Sequence, residues 1–431
     1  MKIPAPKKIL LFMIMAITIC TAGCLGENFP ENMPEDIKPN PFPSPKFEGA
    51  NVDIYFDSTE SMRGYTTLDA DNIYRTLPYL LHDIGDSMGE VKFFKFGEKI
   101  TPLQPHEYKN FTTEEPYNEI ITEVHNVIEK SNPENLSIII TDLFENDADW
   151  SIITEKIRKK YFAKNLDVAV IGIKNPFQGK IFDVGLKKAS FDYDSGSSPE
   201  KFRPFYLLVL GQSPAIQDFI NRFKEKITSE NEIGILLLSK NLIPTTTNFA
   251  DNQELKLENF LTEDILKLDD AANYAEEIRE FRVENFDSPA SITSPLSNIN
   301  YVNLNMDELQ SEAKVYFAEQ SVWKKFPKND IKATLEQDGE RFFVKIEMTP
   351  IKSLDKDTFN FVQVLISPTP KSFELPAWVE EWNMANVDSN LKNFDGAKTV
   401  NLKQMLSSLK NSFIEVKRPD LVNLKFVAHN Q

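Results

Sequence analysis

Three short, almost wholly apolar runs constrain this chain more than any other feature: Val52-Asp53-Ile54-Tyr55-Phe56, residues 136–141 and residues 166–173. Each is strand-sized, and apolar runs of that kind read as strands buried on both faces. Between them lie longer stretches of helical periodicity, over 68–84 (with Pro78 kinking or delimiting it), 118–130 and 149–162, and a further strand over 91–96. In the stretch 118–130, Ile120, Ile121, Val124, Val127 and Ile128 fall on one helical face. Strands alternating with helices imply a parallel sheet covered on both sides. Residues 50–175 are therefore expected to form a doubly wound, Rossmann-like α/β domain.

The alternation weakens after residue 176. Strands are expected over 204–210 and 232–239 with a helix over 215–227, then a polar, acidic stretch of mixed helix and loop signals to about residue 300. Alternating strands follow over 331–337, 342–348 and 359–366, the first two joined by the hairpin signal Asp338-Gly339. A helix over 401–413 closes the chain. The fold class is thus α/β: a doubly wound domain over 50–175, a mixed α/β region over 176–300, and a mixed α+β, β-rich region over 301–431. Trp378 and Trp382, at i and i+4, fit core or interdomain packing.

The N-terminus specifies location. Lys2, Lys7 and Lys8 precede fifteen uncharged residues, 9–23, a length suited to a signal-peptide core and short for a membrane span. The run ends Thr21-Ala22-Gly23-Cys24, which resembles the lipobox of bacterial and some archaeal lipoproteins. The resemblance implies cleavage after residue 23, lipidation of Cys24, and anchoring at the extracytoplasmic face of the cell membrane. Residues 25–49 carry six prolines among polar and acidic residues and read as a tether, residues 24–49 in all. Removing residues 1–23 takes away three lysines and no acid, leaving 45 basic against 65 acidic residues, net −20. Such a surface excludes the basic face that a nucleic-acid partner needs. Cys20 leaves with the signal, so no disulfide or thiolate zinc site can form within the mature chain.

One constellation carries chemistry. Asp57, Thr59 and Ser61 occupy alternate positions directly after the first apolar strand, and Asp142 follows the apolar run 136–141, 85 residues on. Both aspartates sit at carboxyl ends of expected strands, where open α/β sheets bind ligands. Carboxylate and hydroxyl oxygens suit Mg²⁺, Mn²⁺ or Ca²⁺. Thr112 and Thr113, placed before the expected helix, either cap it or add an oxygen.

In this order and context the residues resemble a von Willebrand factor A domain with a metal-ion-dependent adhesion site. That pattern is Asp-x-Ser-x-Ser, a later loop threonine, and an aspartate commonly written Thr-Asp-Gly. Asp57, Thr59 and Ser61 match the first part, Thr112 or Thr113 the second, and Asp142 the third, with Leu143 in place of glycine. The resemblance implies a bound Mg²⁺ (or Mn²⁺ or Ca²⁺) with an open coordination position, which an acidic side chain of a protein partner fills.

Function classes separate on these residues. A lipid-anchored binding module, adhesive or assembling an envelope complex, fits them best. A metal-free scaffold lipoprotein shares every feature except the ion. A phosphate or ester hydrolase fits poorly. Thr59 stands where a haloacid-dehalogenase-type enzyme needs its second aspartate, and no Gly-x-Ser-x-Gly occurs. His82, His106, His125 and His429 lack metal or triad spacing, so no catalytic residue is assigned.

Overall fold

The computed structural model describes residues 49–68, 72–143, 147–184, 189–227, 233–239, 256–258, 262–269, 275–283, 289–296, 303–317, 322–325, 331–338, 341–348, 359–385, 393–417 and 421–430. The expected signal peptide, Cys24 and nearly all of the tether lie outside them.

The central element is a seven-stranded sheet. Its strands are β1 (Val52–Asp57), β2 (Val91–Phe96), β3 (Ile100–Pro102), β4 (Leu136–Thr141), β5 (Asp167–Asn175), β8 (Arg203–Gly211) and β9 (Ile233–Leu238), in the order β3-β2-β1-β4-β8-β5-β9. A separate hairpin, β6 (Gln178–Val184) and β7 (Ala189–Asp194), follows β5. The sheet is mixed, not parallel. Strand β1 pairs in parallel with β2 and β4, but β8 enters antiparallel between β4 and β5, and β9 is antiparallel to β5. All nine residues of β8 are buried. An apolar run reports burial on both faces and says nothing of direction, so the sequence could not reveal this insertion. The sheet also extends to Leu238, well beyond the expected boundary at residue 175.

Helices cover both faces. They are α1 (Glu60–Arg63), α2 (Ile73–Met88), α3 (Val124–Lys130), α4 (Asp147–Lys160) and α5 (Ser213–Lys226). Helix α2 begins at Asn72, whose side chain accepts from the Arg75 amide, and it runs through Pro78 to Gly89. It packs on α5, while α3 packs on α4. A Cβ on Gly85 of α2 would lie 2.7 Å from Val91, so helix and sheet meet with only a hydrogen between them. Phe56 stacks on Phe93 and Phe111 on this side; Tyr55 stacks on Phe94 on the other. Ile138, Ile139 and Ile140 of β4 are wholly buried, each worth about 1.5–3 kcal/mol relative to exposure.

The helix expected over 118–130 forms only from Val124. Upstream, the Glu119 amide donates to the Ser58 carbonyl and the Glu60 amide donates to the Glu119 carbonyl, so Thr59 and Glu119 form an isolated bridge. Ile120 and Ile121 are 88% and 53% exposed instead of joining the buried face of Val124, Val127 and Ile128. The β-branched run Ile120-Ile121-Thr122 favours extended backbone, and the bridge just before it satisfies the backbone N–H and C=O of Glu119.

A second body is a β-sandwich. Strands Lys256–Glu258, Ala290–Leu296, Arg341–Met348 and Ile331–Asp338 form one sheet. Thr262–Asp269, Ala275–Val283, Val422–Asn430, Phe359–Ser367, Gln310–Phe317 and Val322–Lys325 form the other. The sequence expectation of strands over 331–337, 342–348 and 359–366 holds. The acidic stretch before residue 300, expected as mixed helix and loop, contributes four strands to these sheets. Acidic residues depress strand propensity, but pairing with neighbours overrides it.

Helix α6 (Ala377–Glu381) and helix α7 (Leu402–Lys417) return to the first body. Helix α7 packs on α4, with Phe413 against Phe162. Trp382 lies over Gly172, and Trp378 lies over Gly234 and donates to the Ile235 carbonyl at 3.3 Å. Both tryptophans serve packing. The C-terminal helix thus belongs to the α/β layer and not to the β-rich region.

Candidate metal centre

Strand β1 carries Asp57 to the carboxyl end of the sheet and buries it completely. The chain then turns. The Thr59 amide and hydroxyl donate to Asp57 Oδ1 at 3.0 and 2.7 Å. Ser61, in α1, places its Oγ 3.1 Å from Thr59 Oγ1. From β4, the Thr141 hydroxyl donates to Asp57 Oδ2 at 3.0 Å, and the next residue is the buried Asp142. Leu143 follows at φ 51, the left-handed region glycine occupies freely, with its side chain buried. Leucine at this position therefore keeps a glycine-like turn, at a local cost of about 1–2 kcal/mol.

Thr112 and Thr113 are not in this cluster. Their hydroxyls donate to the backbone carbonyls of Lys109 and Asn110, three residues upstream, at 2.8 Å each. The threonine that arrives is Thr122, with Oγ1 3.1 Å from Thr59 Oγ1 and 3.4 Å from Asp57 Oδ2. With the helix expected from residue 118 rather than 124, the expected loop threonine falls nine or ten residues too early. The extended signal of Ile120-Ile121-Thr122 was the clue that could have found it. Asp57, Thr59, Ser61 and Asp142 all stand where the spacing puts them.

Asp57, Thr59 and Asp142 are buried, whereas Ser61 and Thr122 are half-exposed. The oxygens thus line a pit with hydroxyls at its mouth. Burial, and then the neighbouring Asp142 carboxylate, raise Asp57 from its ordinary 3.8 to about 7, against the lowering effect of the Thr59 and Thr141 hydrogen bonds. Around the pit stand buried tyrosines. Tyr117 Oη lies 3.0 Å from Tyr74 Oη and 2.9 Å from the Phe111 carbonyl, and Tyr65 donates to the Pro204 carbonyl at 2.6 Å. Burial holds all three phenols well above their ordinary range, so they remain neutral. Arg203 of β8, also unforeseen from sequence, approaches Asp142 at 3.9 Å.

Among the described residues no three His, Cys, Asp or Glu side chains converge. The donor set is two carboxylates with the hydroxyls of Thr59, Ser61 and Thr122. It fits a hard divalent cation: all donors are oxygen, and a dication beside Asp57 would relieve the cost of its buried charge. It does not suit zinc or copper, which prefer nitrogen and sulfur. No protein-family model, curated protein or solved structure matches this chain.

Proposed function

We propose that this protein is a lipid-anchored, extracytoplasmic binding module that uses a divalent ion, Mg²⁺ or a close substitute, to bind a protein ligand. The observation carrying this reading is the gathering of the Thr59, Ser61 and Thr122 hydroxyls over the buried pair Asp57 and Asp142. Asp57, Thr59, Ser61, Thr122 and Asp142 would hold the ion, leaving its outward side for a ligand oxygen. That arrangement supports the resemblance of 50–175 to a von Willebrand factor A domain, with Thr122 in the role of the loop threonine. The resemblance concerns the site and the β2-β1-β4 core, since the inserted β8 is an addition to a doubly wound order.

A second reading, the metal-free scaffold, has its own support. Both Asp57 oxygens already accept hydrogen bonds, and Arg203 stands close to Asp142. Calorimetric titration with Mg²⁺ and Mn²⁺, beside Asp57→Ala, separates the two. Heat of binding in the wild type that vanishes in the variant supports the metal module. Two folded proteins that both bind nothing leave the scaffold.

A further inference from the structure

Arg203 is a cation beside the pit, which a simple cation site would not include. It opens β8, and with Thr141 paired to Tyr206 the antiparallel register carries it past the end of β4, where Asp142 sits. Its side chain is 1% exposed, and its Nη2 lies 3.9 Å from Asp142 Oδ2. Nη1 donates to the Gly396 carbonyl at 3.0 Å, and the guanidinium lies 5.6 Å from the centre of the Phe177 ring. Nε and Nη2 have no hydrogen-bond partner among the described residues. A buried guanidinium with two unmet donors is costly, and an ion pair too long to be a hydrogen bond compensates only in part. The residue is thus held for its charge rather than for a saturated hydrogen-bond network.

Counting fixed charges shows what that charge does. Asp57 and Asp142 alone would be neutralised by a dication. With Arg203 beside them, the same dication leaves these described groups one positive charge in excess. An anionic ligand removes the excess. We propose that Arg203 is a built-in counter-cation that weakens the site for the metal alone and makes metal and anion bind cooperatively; this rests on the metal reading above. The Gly396 bond, and that of Tyr206 to Thr399 at 2.8 Å, tie this charge to the segment preceding α7. The C-terminal region therefore fixes where the counter-cation sits.

The test uses the full mature chain in detergent, with Mn²⁺ as the probe and acetate as a simple carboxylate. Wild type, Arg203→Lys and Arg203→Met are titrated with Mn²⁺, with and without excess acetate. Arg203→Met should bind Mn²⁺ alone at least about tenfold tighter, because a unit charge acting on a nearby dication in an effective dielectric of about 20 outweighs that factor. It should also lose any response to acetate, while Arg203→Lys keeps the wild-type pattern. In the wild type itself, acetate should tighten Mn²⁺ severalfold, a readout that survives if Arg203→Met fails to fold. Wild-type affinity indifferent to acetate, or a folded Arg203→Met no tighter than Arg203→Lys, overturns the counter-cation. Absence of Mn²⁺ binding in every variant overturns the metal reading itself, and the cooperativity with it.

Discussion

Asp57→Asn should make the metal-free protein more stable at pH 8, although it removes the central acid of the site. Asparagine keeps the shape of the side chain. Its carbonyl can accept from the Thr59 amide and hydroxyl, and its amide can donate to hydroxyls that now turn to accept. What it lacks is the charge. Asp57 is fully buried and raised from 3.8 to about 7 by burial and then by Asp142. For an acid raised on folding, the native state holds a proton that the unfolded state has released. Stability is therefore greatest below about pH 4, falls as the pH climbs, and levels off just above 7. Three units at about 1.4 kcal/mol each make the ionised group about 4 kcal/mol unfavourable at pH 8. The assay is urea or thermal unfolding in chelator at pH 5 to 8, read as wild type minus variant, so that other titrating groups cancel. The difference should grow with pH to a few kcal/mol, or about 5–10 °C in Tm. Added Mg²⁺ should then raise the wild type and leave the variant unchanged. A variant less stable than wild type at pH 8 in chelator, or a pH-independent difference, would refute the argument.

Other expectations follow from the same geometry. Thr122→Ala should weaken Mn²⁺ binding about tenfold by calorimetry, a typical cost of one lost ligand interaction, while Thr112→Ala and Thr113→Ala change nothing; equal effects from all three would reject the assignment of Thr122. Leu143→Gly relaxes a left-handed backbone worth about 1 kcal/mol but empties a buried site worth about 2–5 kcal/mol. Urea unfolding should show net destabilisation of about 2 kcal/mol with Mn²⁺ affinity kept, and net stabilisation would count against the packing role. Cys24→Ala should move the protein from the membrane to the soluble fraction, and retention in the membrane fraction would sink the lipid anchor.

Much of the framework was legible in the residues. The strands β1, β4, β5, β8 and β9 are short, largely apolar runs, and a buried strand announces itself locally. The aspartates and the first two hydroxyls were legible for a related reason: Asp57, Thr59 and Ser61 alternate within five residues directly after a strand, and Asp142 directly follows another. Local spacing decides where such residues point.

What failed to show in the sequence depends on contacts between distant segments. Strand β8 carries the same apolar signature whichever way it runs, and only its neighbours β4 and β5 set it antiparallel between them. The segment 118–122 has apolar spacing compatible with a helix, yet the Ser58 and Glu60 backbone groups draw Glu119 into a bridge and deliver Thr122 in place of Thr112 or Thr113. Arg203 reaches Asp142 across a strand pairing, and Gly396 reaches Arg203 across 193 residues of chain. Burial pattern and turn chemistry are properties of a few neighbouring residues, so sequence determines them. Strand direction, the choice of threonine and the charge balance of the pit are set by which surfaces meet, and only the folded structure decides that.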